Sequence, residues 1–150
     1  MTPTSLVPSK EMLQEVMENI IPFNRHLGMK AVEITDGLVT MKMTFKDEFI
    51  GDITKPAIHG GVLSALLDAT GGAAVFTMIS PGDRISTIDL LVDYLRPCPP
   101  ETIVAAAKVV RLGGRVALVQ LSLYAETDPE HLIATGRAAY NIKRGKELPA

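Results

Sequence analysis

The sequence has very few of the residues that build disulfide frameworks and metal sites. Its one cysteine, Cys98, has no second cysteine to pair with, so an internal disulfide is excluded. The three histidines are scattered along the chain without the spacing of metal ligands. We therefore expect a site that uses no metal ion and no cofactor.

A basic surface and a membrane-spanning segment are also missing. The formal net charge of −2 provides no overall cationic surface for a polyphosphate backbone, which argues against nucleic acid as the principal partner. No uninterrupted apolar run reaches the length of a membrane span, and the beginning of the chain lacks the pattern of a signal peptide. These absences predict a cytoplasmic protein with no membrane partner.

What is present is the composition of a packed globular protein. Hydrophobic residues make up 47% of the 150 positions and charged residues 21%, a balance that favours a buried core over disorder. The length is close to that of one ordinary domain. We expect residues 1–150 to form a single domain.

The first half of the chain predicts a helix and a β-hairpin. Ser9 is a favoured helix cap, and the apolar residues after it follow a helical spacing that ends at Pro22. Asp36-Gly37 is a strong hairpin signal between two β-rich stretches. The predicted elements after the helix are a turn at 22–27, β-rich stretches at 29–34 and 38–45, and a surface loop at 46–58.

The second half predicts one buried helix followed by strands. Residues 60–79 form the longest apolar segment, which predicts a helix buried on nearly every side. Four β-rich stretches follow at 85–95, 102–112, 115–125 and 132–142. The turns between them are too short for crossover helices, so we predict an antiparallel meander. The fold class is therefore α+β, with a long antiparallel sheet wrapped around the helix.

Asp68 is the one charged side chain between residues 60 and 80. An unpartnered carboxylate inside a protein costs several kcal/mol, so it must be paired, protonated, exposed in a cleft or retained for chemistry. Two explanations stay open. Either Asp68 faces solvent or pairs with a strand residue, or it is a catalytic acid.

The triplet His59-Gly60-Gly61 stands where the loop becomes the helix. Glycine lets a substrate approach backbone N–H groups that have no helical partner, and the helix dipole attracts negative charge to that end. Such N–H groups can form an oxyanion hole for a carbonyl that becomes tetrahedral. The alternative is that the two glycines only end the loop.

The spacing of these two features has a geometric consequence. Asp68 lies eight residues beyond Gly60, which corresponds to about 12 Å along a helix axis. One carbonyl cannot contact both, so a shared substrate requires the carboxylate of a second copy and predicts a composite site at a two-fold dimer interface. Gly71 and Gly72 fit either the close approach of another backbone or simple core packing.

Three groups of residues carry a resemblance to a known family and together cover most of the chain. They are Pro22-Phe23 with Leu27-Gly28-Met29, the segment from His59-Gly60-Gly61 to Leu67-Asp68, and the strand from Thr87-Ile88-Asp89 to Tyr94-Leu95-Arg96-Pro97. With these features the chain resembles the PaaI-like branch of the hotdog-fold thioesterase superfamily, which includes hydroxybenzoyl-CoA-type enzymes. The resemblance implies a hotdog fold and hydrolysis of a small aryl- or short- to medium-chain acyl-CoA by a homodimer or a dimer of such dimers.

The resemblance also implies roles for individual residues. The backbone at Gly60 or Gly61 polarises the thioester carbonyl, while Asp68 comes from the partner subunit as a nucleophile or as a base for water. The hydroxyl of Thr87 helps to place the carboxylate or the water, unless Thr87 is an ordinary strand residue. His59 steers the carbonyl or the departing sulfur, or only orders the loop.

The sequence departs from the family pattern upstream of the helix. Many relatives carry Asn or Gln six residues before the histidine, where this chain has Ile53. If this chain positions water as those relatives do, Asp52 must take the place of their Asn or Gln, and the loop must differ so that Asp52 reaches the site.

Arginines near a turn are candidates for binding the phosphates of coenzyme A. Arg96, Arg111 and Arg115 are expected at strand ends near Gly113-Gly114, where a phosphate could be met at the surface. We therefore take Arg96, Arg111, Gly114 and Arg115 as candidate substrate-binding residues. Solvated arginines at hairpin ends are the alternative.

Other functions fit the sequence less well. An α/β-hydrolase requires a Gly-x-Ser-x-Gly elbow and crossover helices, and the chain has neither. A hotdog-fold enoyl-thioester hydratase or dehydratase remains an alternative, although its histidine stands farther from the helix start than His59 does. A non-catalytic acyl-CoA-binding module is another, because fold does not fix function.

Overall fold

The computed structural model describes residues 7–146, which form an antiparallel sheet around one long helix. The helical elements are α1 (Lys10–Glu15), a π-helical turn (Val16–Ile20), α2 (Pro22–Leu27), a 3-10 turn (Asp47–Phe49) and α3 (Gly60–Phe76). The strands are β1 (Met29–Thr35), β2 (Leu38–Met43), β3 (Ile50–Asp52), β4 (Ala57–Ile58), β5 (Arg84–Tyr94), β6 (Ile103–Leu112), β7 (Val116–Ala125) and β8 (Asp128–Lys143). The expected α+β hotdog arrangement is confirmed.

The N-terminal helix begins where the sequence places its cap. The Met12 N–H donates to the Ser9 hydroxyl at 3.1 Å, and α1 follows. The predicted turn at 22–27 is wrong, because Pro22 opens the helix α2. Proline suits the first position of a helix, where no intrahelical N–H bond is needed. Gly28 ends α2 with a φ of 73°, the left-handed conformation typical of a helix terminus.

The Asp36-Gly37 hairpin between β1 and β2 is confirmed. Gly37 has a φ of 74°, a left-handed conformation that glycine adopts without strain. Residues 46–58 are more ordered than predicted, because they contain the 3-10 turn and a small hairpin of β3 with β4. The His59 N–H donates to the Phe49 backbone oxygen at 2.7 Å, so this hairpin fixes the entry into α3.

The six long strands lie in the order β1-β2-β6-β7-β8-β5, each antiparallel to its neighbours. The predicted meander holds for β6, β7 and β8, but β5 is misplaced in it, because β5 pairs with β8 at the edge of the sheet. Residues 95–102 carry the chain from β5 to β6. An extended segment of that length reaches about 26 Å, whereas three strand spacings need roughly 15 Å. A short connection therefore does not require neighbouring strands.

The helix α3 packs against the sheet and is buried on nearly every side, as predicted. Its Leu66, Leu67, Ala74 and Val75 have no exposed surface, and each fully buried leucine contributes about 1.5–3 kcal/mol of hydrophobic free energy. The buried apolar side chains of α1, α3 and the sheet form one core cluster. In the part of the chain that the structure describes, no helix is long and apolar enough to cross a membrane.

Candidate active site

Asp68 lies in the middle of α3, half-buried, with its carboxylate between two hydroxyl groups. The Thr87 hydroxyl on β5 donates to Asp68 Oδ1 at 2.9 Å. The Tyr140 hydroxyl on β8 lies 3.2 Å from the same oxygen and 2.8 Å from the Asp68 backbone oxygen, and donates to both. Within residues 7–146 no lysine or arginine forms an ion pair with Asp68. The carboxylate is thus held by strand residues and keeps Oδ2 available for chemistry.

Tyr140 is a site residue that the sequence reasoning missed. It is 1% exposed, and burial together with the nearby Asp68 carboxylate raises the pKa of its hydroxyl. The hydroxyl therefore stays protonated and acts as a donor at neutral pH. The available signal was a tyrosine at an inward position of β8 among alanines, since a buried tyrosine hydroxyl needs a partner.

The two glycines in the middle of α3 make room for the sheet. A Cβ atom at Gly71 would collide with the Tyr140 hydroxyl, and one at Gly72 would lie 3.3 Å from Ile85 Cδ1. The close contacts are made by side chains of the same chain. Core packing is therefore the correct explanation, and the approach of another backbone is not.

The tip of α3 is capped by its own histidine. His59 Nδ1 accepts a hydrogen bond from the Gly61 N–H at 2.8 Å, which requires Nδ1 to be unprotonated. The expectation that the Gly61 N–H is available to a substrate is therefore wrong for this conformation. The Gly60 N–H forms no hydrogen bond within residues 7–146 and is the donor that the helix tip presents.

Tyr94 covers the other side of the helix tip. Its hydroxyl donates to the Gly60 backbone oxygen at 3.1 Å and shares a hydrogen bond with the Ser64 hydroxyl. A Cβ atom at Gly60 would lie 3.3 Å from the Tyr94 ring. Sequence reasoning included Tyr94 in the family resemblance but gave it no role in the site.

The structure therefore divides the predicted catalytic residues between two clusters. His59, Gly60 and Gly61 form the tip cluster, whereas Asp68 and Thr87 belong to the carboxylate cluster. The helix α3 is continuous from Gly60 to Phe76, so the tip and Asp68 are about 12 Å apart along its axis. One chain alone does not bring the two clusters to the same carbonyl.

The carboxylate cluster lines a pocket of about 230 Å³. The N-terminal helical elements, α3 and β5 contribute its largely apolar walls, which include Met17, Ile21, Phe23, Asn24, Phe76 and Ile85. A carboxylate beside such a pocket can act as a base or as a nucleophile toward a bound electrophile.

The arginine candidates do not lie together. Arg111, Gly114 and Arg115 line one hollow of about 320 Å³ at the turn between β6 and β7. The placement of Arg96 near that turn is wrong. Its guanidinium donates to the backbone oxygens of His131 and Leu132 at the opposite end of the sheet, because a strand as long as β5 separates its two ends by about 35 Å.

Two further candidates are accounted for by local structure. Asp52 Oδ1 accepts bonds from the Thr54 hydroxyl, the Thr54 N–H and the Lys55 N–H, which lower the pKa of the carboxyl and shape the turn around the exposed Ile53. Cys98 is buried, and burial followed by the Glu101 charge raises the pKa of its thiol to about 12. A protonated thiol cannot act as the nucleophile at neutral pH.

Comparison with known proteins agrees with this geometry. A family model described as the thioesterase superfamily matches residues 56–131. The medium/long-chain acyl-CoA thioesterase YigI of Escherichia coli is 30% identical over 135 residues, which cover 81% of this chain and 86% of YigI. A thioesterase structure from Haemophilus influenzae superposes with a TM-score of 0.81 at 20% identity over 96% of both chains. The Escherichia coli PaaI structure gives 0.71 at 20% identity, over 81% of this chain and 83% of PaaI.

The family model covers half of the chain, and the sheet around a central helix is the fold that the superposed thioesterase structure shares with it. The region that the family model matches includes His59, Gly60 and Gly61 of the tip cluster, and Asp68 and Thr87 of the carboxylate cluster. The chain belongs to the thioesterase superfamily and is a thioester hydrolase.

Proposed function

We propose that the protein is an acyl-CoA thioesterase for small aryl- or short- to medium-chain acyl groups. The observation that carries the proposal is the Asp68 carboxylate, which Thr87 and Tyr140 hold in the lining of an apolar pocket. An acyl chain is apolar and a thioester carbon is electrophilic, so the pocket offers both a binding surface and a reacting group. The activity named for YigI supports acyl-CoA as the substrate class.

The proposal includes a homodimer, or a dimer of two such dimers, built through β5. This strand is at the edge of the described sheet and exposes Ile88, Leu91 and Tyr94, each to about half of its surface. A long apolar edge is a template for pairing with another strand. Pairing of β5 with its own copy across a two-fold axis gives a closed assembly.

Both clusters are attached to β5, which supports a composite site. Thr87 contacts Asp68 and Tyr94 contacts Gly60. In an antiparallel pair centred between Leu90 and Leu91, Thr87 of one chain stands opposite Tyr94 of its copy. The helix tip of each protomer then lies beside the carboxylate cluster of the other.

The proposed reaction uses groups from both protomers. The Gly60 N–H and the helix dipole stabilise the negative charge that develops on the thioester oxygen. The partner subunit's Asp68 takes a proton from the attacking water or adds to the carbonyl carbon itself. The C–S bond then breaks, and coenzyme A leaves as a thiolate that takes up a proton. When water attacks, the free acid is released directly; when Asp68 attacks, water hydrolyses the acyl–Asp68 anhydride, which releases the acid and restores the carboxylate. Coenzyme A is part of the substrate, and the scheme uses no metal or further cofactor.

We also propose that the hollow at the turn between β6 and β7 binds the phosphates of coenzyme A. The lining of the hollow includes Arg111 and Arg115, whose positive charges attract phosphate, and the backbone of Gly114. Arg144 links this turn to the start of β5 through bonds to the Gly114 oxygen and to Asp83. In the β5-paired dimer, the start of β5 in one protomer lies beside the end of β5 in the other. The hollow of one protomer is therefore at the same end of the paired strands as the helix tip of the other. Arg96, which bonds backbone oxygens, is no longer part of the proposal.

Release of free thiol from a panel of aryl- and acyl-CoA esters tests the activity. In Asp68→Asn we expect acyl-CoA binding to persist while kcat falls by about 10²–10⁴-fold, because the base or nucleophile is lost. Asp36→Asn, on the surface hairpin, is the matched control and should keep wild-type turnover. Near-wild-type turnover in Asp68→Asn would contradict the proposal, and loss of enoyl-CoA absorbance without free thiol would indicate the hydratase alternative.

A further inference from the structure

Asn24 is a buried polar residue that the proposed reaction does not use. It lies in α2, is 5% exposed, and its Nδ2 forms no hydrogen bond with any described residue. Nearly all buried amide groups in proteins are hydrogen-bonded. Asn24 lines the same pocket as Asp68, and its Nδ2, which has almost no exposed surface in this conformation, reaches a molecule bound there once the side-chain amide rotates.

Among the described residues, the pocket has two side-chain donors that are not bonded to Asp68, the Asn24 amide and the Ser86 hydroxyl, and of these Asn24 is the buried one. The hydroxyls of Thr87 and Tyr140 already donate to Asp68. The π-helical turn contributes Met17 to the wall beside Asn24, and such turns are common at functional sites. The terminal torsion of an asparagine side chain is soft, so its amide can turn toward a ligand at little cost.

We propose that Asn24 selects acyl groups that carry an oxygen substituent, a hydroxyl or a keto group, over unsubstituted chains. This inference rests on the proposed thioesterase function and narrows its substrate class. The Asn24 Nδ2 donates to the substituent oxygen while the apolar walls bind the carbon chain. An unsubstituted chain leaves the amide unpaired, and a site built to hydrogen-bond a substituent discriminates against a substrate that lacks it.

The test compares octanoyl-CoA with the series of octanoyl-CoA esters that carry one hydroxyl at each chain carbon in turn. For the wild-type protein we expect kcat/KM of at least one hydroxylated ester to exceed that of octanoyl-CoA by about fivefold, the effect of one hydrogen bond. Asn24→Leu removes the donor at similar side-chain size. In this variant the preference should disappear, so that the ratio of kcat/KM between the preferred hydroxylated ester and octanoyl-CoA falls to about one.

Asn19→Leu is the matched control, because Asn19 is exposed and its amide donates to Glu15 outside the pocket. This variant should keep the wild-type preference. The melting temperature of Asn24→Leu should equal or exceed that of wild type, because no hydrogen bond is lost.

Three results would overturn the inference. They are the absence of a preferred hydroxylated ester in wild type, an unchanged preference in Asn24→Leu, and an equal loss for all esters in that variant. The last would show that the amide acts on a group common to every substrate. If wild type hydrolyses no ester at all, the proposed function itself fails, which is a different outcome from hydrolysis without selectivity.

Discussion

Asp68 owes its position to two hydroxyl groups that the sheet register brings together. Thr87 and Tyr140 are direct cross-strand partners in the β5–β8 pair, and partners on one face of a sheet lie side by side. Their hydroxyls converge on Asp68 Oδ1. The orientation of the carboxylate therefore depends on strand pairing far from α3 in the sequence.

Removing one of these hydroxyls tests its role in positioning. In Tyr140→Phe we expect kcat to fall by about tenfold with little change in KM, since a bond to a charged group is lost while the ring still fills its site. Steady-state thiol release measures both constants. Tyr124→Phe, on β7, is the control. An unchanged kcat in Tyr140→Phe would show that Thr87 alone positions Asp68.

The Gly60 N–H can be removed with little change to the helix. Gly60 is the first residue of α3, and proline is well tolerated there because its missing N–H has no helical partner. His59 already has a ψ of 132°, in the extended range that a residue before proline favours. A Cβ at Gly60 would lie 3.3 Å from the Tyr94 ring, so Gly60→Ala, which adds the Cβ and keeps the N–H, is the control. Relative to Gly60→Ala, we expect Gly60→Pro to lose about 10²–10³-fold in kcat. Full activity in this variant would remove Gly60 from the mechanism.

The residues predicted from sequence are those with a local signal. A lone acid in an apolar helix indicates Asp68, and glycines at a helix start indicate Gly60. Tyr140 carries no such signal, because its role depends on the register between β5 and β8. The competition of His59 for the Gly61 N–H was missed because it depends on side-chain orientation, which spacing does not define.

At the scale of elements, continuous patterns were predicted and connections were not. The apolar segment of α3 and the Asp36-Gly37 hairpin follow from local preferences, and both are confirmed. The position of β5 beside β8 could not be predicted, because a short connection limits distance but does not choose the neighbour. The helix α2 could not be predicted with the same certainty, because a proline both ends one helix and suits the first position of the next.

Asp83 links the start of β5 to the residues that follow β8. Asp83, just before β5, accepts bonds from the Gly145 N–H at 2.9 Å and from Arg144 at 2.8 Å. The hydrogen bond from the Gly145 N–H, followed by the bond from Arg144 against the opposing effect of burial, holds the pKa of the Asp83 carboxyl below its ordinary value. A lowered pKa in the folded state means that this contribution to stability is present above the unfolded pKa and is lost as pH falls through the folded one.

Thermal unfolding at two pH values tests this contact. At pH ~7 we expect Asp83→Asn to lower the melting temperature by about 2–4 °C, the effect of roughly 1 kcal/mol in a chain of this size. The difference should shrink as pH falls below ~4 and through the lower pKa of the folded state, at which the wild-type carboxyl becomes protonated. Asp36→Asn should show no such pH-dependent difference. A constant difference at all pH values would exclude the ionised carboxylate as its cause.

At the scale of the whole molecule, β5 connects the fold to the proposed chemistry. The strand forms one edge of the described sheet and carries the residues that contact Asp68 and Gly60. If β5 pairs with its own copy and also positions both clusters, catalysis depends on the dimer. Weakening of the β5 edge is therefore expected to reduce activity and dimerisation together.

Mixed dimers of two inactive variants test the composite site most directly. Asp68→Asn keeps an intact helix tip and Gly60→Pro keeps an intact carboxylate, so a dimer with one chain of each has one complete site if the two clusters come from different chains. Unfolding and refolding an equal mixture should restore about one quarter of wild-type activity, since half of the dimers are mixed and each has one working site. No recovery, with mixed dimers shown to be present by native mass spectrometry, would contradict the account.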